Sequence, residues 1–295
     1  MSSPPPSSYC PLCNTTESQA SWLGSTQYRE QKYDYLQCAE CDSLYCSPMP
    51  DEDTLALMYG DDYQQFLSVE TCHSGDDGIR QVIDYLKTRE KGVFFDYACG
   101  AGVLLSEAAK IGWDVIGFEL NVATAEKYSR LHNIKIISDL KDLPENFRAD
   151  VVHLGDVLEH LTDVNRQFPP ILDLLKDNGL VIAQGPLEAN LNLFFLGVKL
   201  ARILRRAPVS GMPPYHVSLA TVEGQRKFFN RFHLKEMVFD VFETSHPAPE
   251  RIGLSDLKNI RKSAFFLLRK VSQSVSAVFP RKMGNRYFYV GSKRK

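Results

Sequence analysis

Four cysteines near the start of the chain form two C-x-x-C pairs, Cys10-Pro-Leu-Cys13 and Cys38-Ala-Glu-Cys41, with 24 residues between them. Four thiolates are the ligand set of a closed tetrahedral zinc site, and two such pairs inside one short segment point to metal rather than to scattered buried cysteines. With every position filled by protein, the zinc expected there is structural and offers no open site for catalysis. Cys46 is the spare thiol of the segment. A second group is the turn Asp96-Tyr97-Ala98-Cys99-Gly100-Ala101-Gly102, with Glu119 lying 17 residues beyond Gly102. Glycines at such a turn let the backbone approach a ligand beside a helix N-terminus. The dinucleotide pattern G-x-G-x-x-G is broken, because Leu105 holds its third glycine position. An acid at Glu119 can accept both ribose hydroxyls of a nucleoside. The third group is His160, in the stretch Gly155 to Leu161, together with Tyr215 and His216. An imidazole titrates close to neutrality, which suits a general base.

The elements that must position these groups follow from the apolar pattern. Residues 93–97 read as a strand that ends at the glycine-rich turn, and residues 103–110 as the helix after it. Residues 114–118 form the second strand, with Glu119 at its end, and residues 122–131 the second helix. Third, fourth and fifth strands are expected at 134–137, 150–154 and 180–183. Asn178-Gly179 reads as the C-cap of the helix before the fifth strand. Two later strands are expected at 238–242 and 287–290. Strands alternating with helices imply a parallel sheet covered on both faces, in which ligands sit at the carboxyl ends of the strands. Glu159 and His160 follow the fourth strand and therefore fall on that edge.

Composition sets the outer limits. The chain has 295 residues, of which 44% are hydrophobic and 24% charged, which excludes a disordered or collagen-like chain. The longest apolar stretch, residues 191–204, is interrupted by Asn192, Gly197, Lys199 and Arg202, so no spanning helix is expected. Residues 1–8, MSSPPPSS, have no charged or apolar signal region, which points to a cytoplasmic protein with reduced cysteines. The division expected is a disordered leader at 1–8, a zinc-binding module at 9–50, a helical connector at 51–91 and an α/β domain at 92–295. Cap insertions are placed in that domain at about 187–215 and 246–283. From Arg251 onward there are twelve Lys and Arg against the single acid Asp256, while the rest of the chain is acidic. A basic stretch of this kind concerns partners rather than fold. Its alternation of apolar and basic residues around Phe265 to Leu268 favours peripheral membrane contact through residues 251–295 over nucleic acid. An intramolecular contact with the acidic body weighs equally.

The turn, its strand and helix, and the acid at the second strand end resemble the class I S-adenosylmethionine-dependent methyltransferases. Their first motif is D-x-G-x-G-x-G, and here Ala98 stands where the first glycine is usual, which argues against a positive φ at that position. The resemblance implies a Rossmann-like sheet over about residues 92–245 with a final strand near 285–294. It also implies a cofactor site formed by Asp96, Ala98, Gly100, Gly102, Glu119, Leu120, Asp139, Leu140, Gly155 and Asp156. Ser138-Asp139-Leu140 takes the place that the family sets against adenine. The cysteine segment, followed by Pro48-x-Pro50, Leu55, Tyr59 and Tyr63, is similar to bacterial sugar and natural-product methyltransferases with an N-terminal four-cysteine module. That likeness implies S-adenosylmethionine and structural zinc as cofactors. It also implies a small-molecule acceptor, with a nucleotide sugar or glycan precursor as the leading class. His160, His216 and Tyr215 are then the candidate catalytic residues. An RNA methyltransferase that grips nucleic acid with the zinc module and basic tail is the weaker reading, since only Arg29 and Lys32 are basic between Cys10 and Cys41. A non-catalytic zinc-ribbon interaction protein is the third.

Overall fold

A computed structural model describes residues 9–58, 77–190, 192, 193, 196, 197, 200, 213–243 and 259–294, apart from the side chains of residues 52 and 56. Tyr59, Tyr63, the leader, Lys199, Arg202, Arg205 and Arg206 of the first expected insertion and residues 246–258 of the second lie outside the described residues. The chain divides into two compact units. The first comprises residues 1–49, 186–228 and 240–287, so both expected insertions fall in the same unit as the cysteine segment. The second comprises residues 50–185, 229–239 and 288–295.

The second unit is built on a seven-stranded sheet. Its strands are β4 (Val93–Tyr97), β5 (Asp114–Phe118), β6 (Lys135–Ile137), β7 (Ala149–Gly155), β8 (Leu175–Pro186), β10 (Leu234–Phe242) and β11 (Arg286–Lys293), in the order β10-β11-β8-β7-β4-β5-β6. β5, β6, β7 and β8 all run parallel to their neighbours in the β8-β7-β4-β5-β6 block. Parallel strands require crossovers, and helices supply them. α1 (Glu52–Met58) and α2 (Asp77–Lys87) precede the sheet, and α2 buries Val82, Ile83 and Leu86 at helical spacing. α3 (Val103–Lys110) follows β4, and α4 (Val122–His132) follows β5. Asn121 caps α4 by accepting from the Thr124 N–H, and Asn133 ends it in the left-handed region at φ 53°. The edge on which β4, β5, β6 and β7 end is therefore shared by Tyr97, Phe118, Ile137 and Gly155.

One expectation fails at β8. α5 (Val164–Asp173) ends well before Asn178-Gly179, and those two residues lie inside the strand. The pairing explains why. Ala149 faces Leu175 but Val151 already faces Leu180, so residues 176–179 form an irregularity in the strand. A Cβ on Gly179 would come within 3.1 Å of the Ala149 carbonyl oxygen and 3.0 Å of that of Lys176. The glycine serves a close backbone approach and not a helix cap.

The first unit carries its own four-stranded sheet, β1-β2-β3-β9, from β1 (Ser18–Tyr28), β2 (Gln31–Cys38), β3 (Leu44–Ser47) and β9 (Ser218–Leu219). β9 pairs antiparallel with β3 through Leu44–Leu219 and Tyr45–Ser218. Tyr33, Tyr35, Cys46 and Val217 form one small apolar cluster in this unit. Cys46 is thus a packing residue, and burial pushes its thiol up to about 12. Further helices among the described residues are α6 (Val222–Arg231), α7 (Ile260–Val278) and α8 (Pro280–Met283).

Candidate functional site

At the end of β4 the chain takes three left-handed residues in quick succession: Ala98 at φ 61°, Gly100 at 52° and Gly102 at 64°. The sequence argued against a positive φ at Ala98, and the structure corrects that. The turn is closed by Cys99 N–H donating to the Phe118 carbonyl (2.9 Å) and Gly102 N–H donating to that of Cys99 (2.9 Å). These bonds hold Ala98 in a region where a Cβ costs about 1–2 kcal/mol. Gly100 has open space around its Cβ direction, whereas Gly102 would bring a Cβ to 3.1 Å from Ile136. The first leaves room for a ligand against the main chain; the second is packed.

Glu119 follows β5 and is 9% exposed. Its Oε2 accepts from the Gly100 N–H (3.0 Å) and its Oε1 from the Asn121 N–H (3.0 Å). Each oxygen keeps a second lone pair, so the carboxylate is oriented while able to accept further donors. Burial pushes its pKa up, against the lowering effect of the two backbone donors. Leu120 beside it is exposed. Asp139 caps a short helical turn, 140–142, by accepting from the Lys141 N–H at 3.0 Å, and its side chain remains exposed. Leu140 is half-buried on that turn, Gly155 ends β7, and Asp156 follows at φ 53°, exposed. Asp139, Leu140, Gly155 and Asp156 thus follow β6 and β7 on the same sheet edge as the turn.

Asp96, the acid of the turn motif, is buried against a neighbouring strand. It is 3% exposed, and its Oδ1 accepts from His153 Nδ1 at 2.6 Å. The two residues are register partners across β4 and β7. The other ring nitrogen of His153 is buried with no hydrogen-bond partner, so the neutral Nδ1–H tautomer fits the site. His153 was not singled out in the sequence; the strand register is the signal that finds it. Gly117 was missed too. A Cβ there would meet Leu105 at 2.5 Å and Cys99 Sγ at 2.6 Å, so only glycine lets the turn and α3 close on β5. Burial, with the Asp96 and Glu119 charges adding to it, pushes the Cys99 thiol far up.

His160 lies on the helical turn Leu158–His160 of the second unit and is half-buried. Tyr215 and His216 lie in the first unit, before β9. His216 Nδ1 is 2.6 Å from Glu188 Oε2, and both side chains are about a third exposed. A carboxylate accepts only, so Nδ1 carries the hydrogen when the ring is neutral. The main chain here is fixed as well. Tyr35 donates to the His216 carbonyl (3.0 Å) and Cys46 N–H to that of Val217 (2.8 Å). Thr221, and not His216, caps α6, accepting from the Gly224 N–H at 2.9 Å. Glu188 also lines a cavity of about 490 Å³ with Trp22, Asn190, Thr221, Arg281 and Lys282, all in this unit.

The four cysteines converge. Cys10 and Cys41 sulfurs are 3.8 Å apart, those of Cys13 and Cys38 are 3.4 Å apart, and all four lie within 4.8 Å of one another. A tetrahedron with ~2.3 Å metal–sulfur bonds has edges of ~3.8 Å, so the cluster fits a zinc ion. Burial pushes the Cys13 thiol up to about 12. A zinc ion would supply the positive charge that four converging thiolates require.

A family model described as a methyltransferase domain matches residues 73–238, more than half of the chain. The ubiquinone biosynthesis O-methyltransferase of Nitrobacter winogradskyi is 26% identical over 148 residues, covering 48% of this chain and 55% of that protein. The Proteus mirabilis protein of the same name is 29% identical over 112 residues, covering 34% and 45%. The chain thus spans about half the length of the curated relatives it matches. Among solved structures, the [4+2]-cyclase SpnF aligns with TM-score 0.51 and 14% identity, over 83% of this chain and 98% of that one. The plantazolicin methyltransferase BamL, in complex with a triazolic desmethylPZN analog and SAH, aligns with TM-score 0.50 and 11% identity, over 81% and 94%. Such likeness shows the fold alone, and a cyclase among the neighbours illustrates that one sheet hosts several chemistries. The family match is the finding that identifies the chain: it belongs to the methyltransferase-domain family and has that family's Rossmann-like α/β fold.

Proposed function

We propose that the chain transfers a methyl group from S-adenosylmethionine to a small biosynthetic intermediate, with a nucleotide sugar or another glycan precursor as the leading acceptor class. The observation that carries the reading is Glu119, held by the Gly100 and Asn121 N–H groups with both oxygens still able to accept. A nucleoside ribose supplies two hydroxyl donors for such a carboxylate. Ala98, Gly100 and Gly102 would bring the main chain against the rest of the cofactor. Leu120, Asp139 and Leu140 would border its base, and Gly155 and Asp156 would close the far side. Asp96, fixed by His153, would orient the turn from below.

Methyl transfer is an in-line displacement in which positioning supplies much of the rate. The cofactor, when bound, supplies an electrophilic methyl on a sulfonium. An oxygen or carbon acceptor loses a proton, and His216, whose Nδ1–H is oriented by Glu188, is one candidate to take it. Tyr215 would border the acceptor, and His160 is the second candidate base. The cavity beside Glu188 has the size of a small-ligand pocket, and its lining sets the cations Arg281 and Lys282 among the acids Asp42, Glu188 and Glu223, a mixed polar set suited to an acceptor that carries hydroxyls as well as phosphate. Cys10, Cys13, Cys38 and Cys41 would hold one structural zinc.

Calorimetry with S-adenosylhomocysteine tests the cofactor, and label transfer from S-adenosylmethionine to a panel of nucleotide sugars tests the acceptor. Micromolar binding is expected in the first, and product in the second only from phosphate-bearing acceptors. Tight nicotinamide-dinucleotide binding with no S-adenosylhomocysteine binding would overturn the reading.

A further inference from the structure

α7 is turned inside out. The residues it buries are Arg269, Ser272 and Ser276, each 2% exposed or less. Its exposed residues include Arg261, Phe265, Lys270 and Ala277 and, at i, i+4, i+7, i+11, i+14 and i+18, the stripe Ile260, Ala264, Leu267, Val271, Ser274 and Val278. Four of the six are large aliphatics, and Ile260, Leu267 and Val278 are 81%, 63% and 69% exposed. A helix packed on a soluble core normally has the reverse arrangement.

The inward polar face has a full set of partners, so the helix is seated and cannot simply roll over. Arg269 pairs with Glu243, whose other oxygen accepts from Asn192 Nδ2 at 2.9 Å. Ser272 donates to Asn192 Oδ1 (3.0 Å), and Ser276 to the Met283 carbonyl (2.9 Å). Rotating the stripe inward would strand a buried carboxylate and a guanidinium, which costs several kcal/mol. The apolar face is therefore a fixed feature of the surface. A neighbouring segment packs on the helix: a Cβ on Gly197 would fall 2.5 Å from Leu268, and Leu196 and Leu200 on that segment are exposed.

Charge selects the occupant. Residues 260–283 contain six basic side chains and no acid. Arg269 is consumed internally, while Arg261 and Lys270 are exposed and, at 100° per residue, flank the apolar stripe on its two sides. A second copy of the helix laid on this stripe would bring like charges together, whereas an anionic bilayer surface neutralises them while the aliphatic side chains enter the headgroup boundary. No helix among the described residues is long and apolar enough to cross a membrane, which fits lying on it instead. From this geometry we infer that α7 docks the protein, reversibly, on an anionic lipid surface. The inference goes beyond the transfer reaction and stands without it.

Vesicle co-sedimentation of the full chain tests it, with phosphatidylcholine vesicles and vesicles of equal phosphatidylcholine and phosphatidylglycerol. Binding is expected to the anionic vesicles at low salt, at least tenfold stronger than to neutral ones, and to fade in molar salt. Lys270→Glu should weaken it by at least fivefold. Leu267→Glu and Val271→Glu should each weaken it at least tenfold, with an unchanged thermal midpoint, since both positions face solvent. Three results would each overturn the inference: no binding to anionic vesicles, binding that ignores Leu267 and Val271, or a self-associating chain whose dimer, and not its vesicle binding, is lost in Leu267→Glu. Retention of RNA with a steep salt dependence and no vesicle binding would overturn it as well.

Discussion

Replacing Glu119 by Gln changes few atoms and tests the proposed cofactor site directly. The carboxylate has two oxygens, each accepting one backbone N–H at 3.0 Å. An amide has one oxygen, so one of those N–H groups must face an NH₂ group. The hydrogen bond lost is charge-assisted and worth about 1.5–3 kcal/mol. Part of that loss falls on folding, because the turn from Ala98 to Gly102 is tied to β5 through this side chain. Part falls on binding, because a neutral amide holds ribose hydroxyls less tightly. Calorimetry with S-adenosylhomocysteine should show roughly tenfold weaker binding for Glu119→Gln, and roughly 10–150-fold for Glu119→Ala. The pH dependence gives an independent check. Burial raises the pKa of Glu119, so the folded chain binds its proton more tightly than the unfolded chain does. The contribution of Glu119 to stability is therefore present at low pH and lost as pH rises through the window between its ordinary and raised values. Ligand binding runs the other way, since hydroxyl donors require the ionised form. Wild-type affinity should fall on acidification at a pH above the ordinary carboxylate range, and the Gln variant should show no such step. Unaltered affinity in Glu119→Gln, or the same acid step in it, would refute the assignment.

Other perturbations address the neighbouring elements. Ala98→Gly should relieve the left-handed Cβ penalty of about 1–2 kcal/mol at an unfolded-state entropy cost of about 0.4–1. The expected net gain of about 0.5–1 kcal/mol is readable as a thermal midpoint higher by a few degrees; a lower midpoint would contradict the turn geometry. His153→Leu should cost about 2–4 kcal/mol by leaving the Asp96 carboxylate buried without its donor, and denaturant unfolding measures it. Cys38→Ser should abolish a one-to-one zinc content in metal analysis and loosen the first unit, while amide exchange in β4 and β7 of the second unit stays slow. Glu188→Gln should shift His216 away from the Nδ1–H tautomer, which ¹⁵N chemical shifts of labelled histidine report; an unchanged tautomer would remove Glu188 as its positioning residue.

The sheet and its turn were legible because each strand announces itself locally. Residues 93–97 and 114–118 are apolar runs bounded by Gly92, the turn and Glu119, and β4 and β5 match them. The C-cap reading of Asn178-Gly179 failed because asparagine and glycine have two local meanings, a left-handed cap and a close backbone approach. Only the partner strand decides between them, and here Ala149 does. The Asp96–His153 bond was out of reach for a similar reason. Alternation puts a polar residue on each strand, but the β4–β7 register that sets them opposite is a three-dimensional fact. Glu188 and His216 stand 28 residues apart, and no periodicity links a loop acid to a loop imidazole across that distance. α7 could be read as a basic and apolar helix, but its orientation could not. Both of its faces mix types in the sequence, and only Glu243 and Asn192 reveal that the polar one is buried.

The cysteine segment looks like an appendage in the linear order, yet its packing gives it a further task. A segment of this size has too little core to hold a fixed shape unaided. Its sheet nonetheless accepts β9 from residues far along the chain, and the Tyr35 hydroxyl and Cys46 N–H seize the carbonyls of His216 and Val217. The two are linked through one short stretch: Cys41 carries a candidate metal ligand and accepts from Thr221 through its carbonyl (2.6 Å), and Ser43 Oγ accepts from the Thr221 N–H (3.0 Å). Thr221 in turn starts α6. The thiol cluster therefore stands two residues from the contacts that fix the segment from His216 to Thr221. A stapled segment transmits its rigidity to whatever main chain its strands pair with, because each ladder bond removes backbone freedom that a loop would keep. On this argument the four cysteines, if they hold a metal, would be conformational supports of the proposed base, and their loss would be felt at His216 as disorder of its main chain before it was felt as loss of fold.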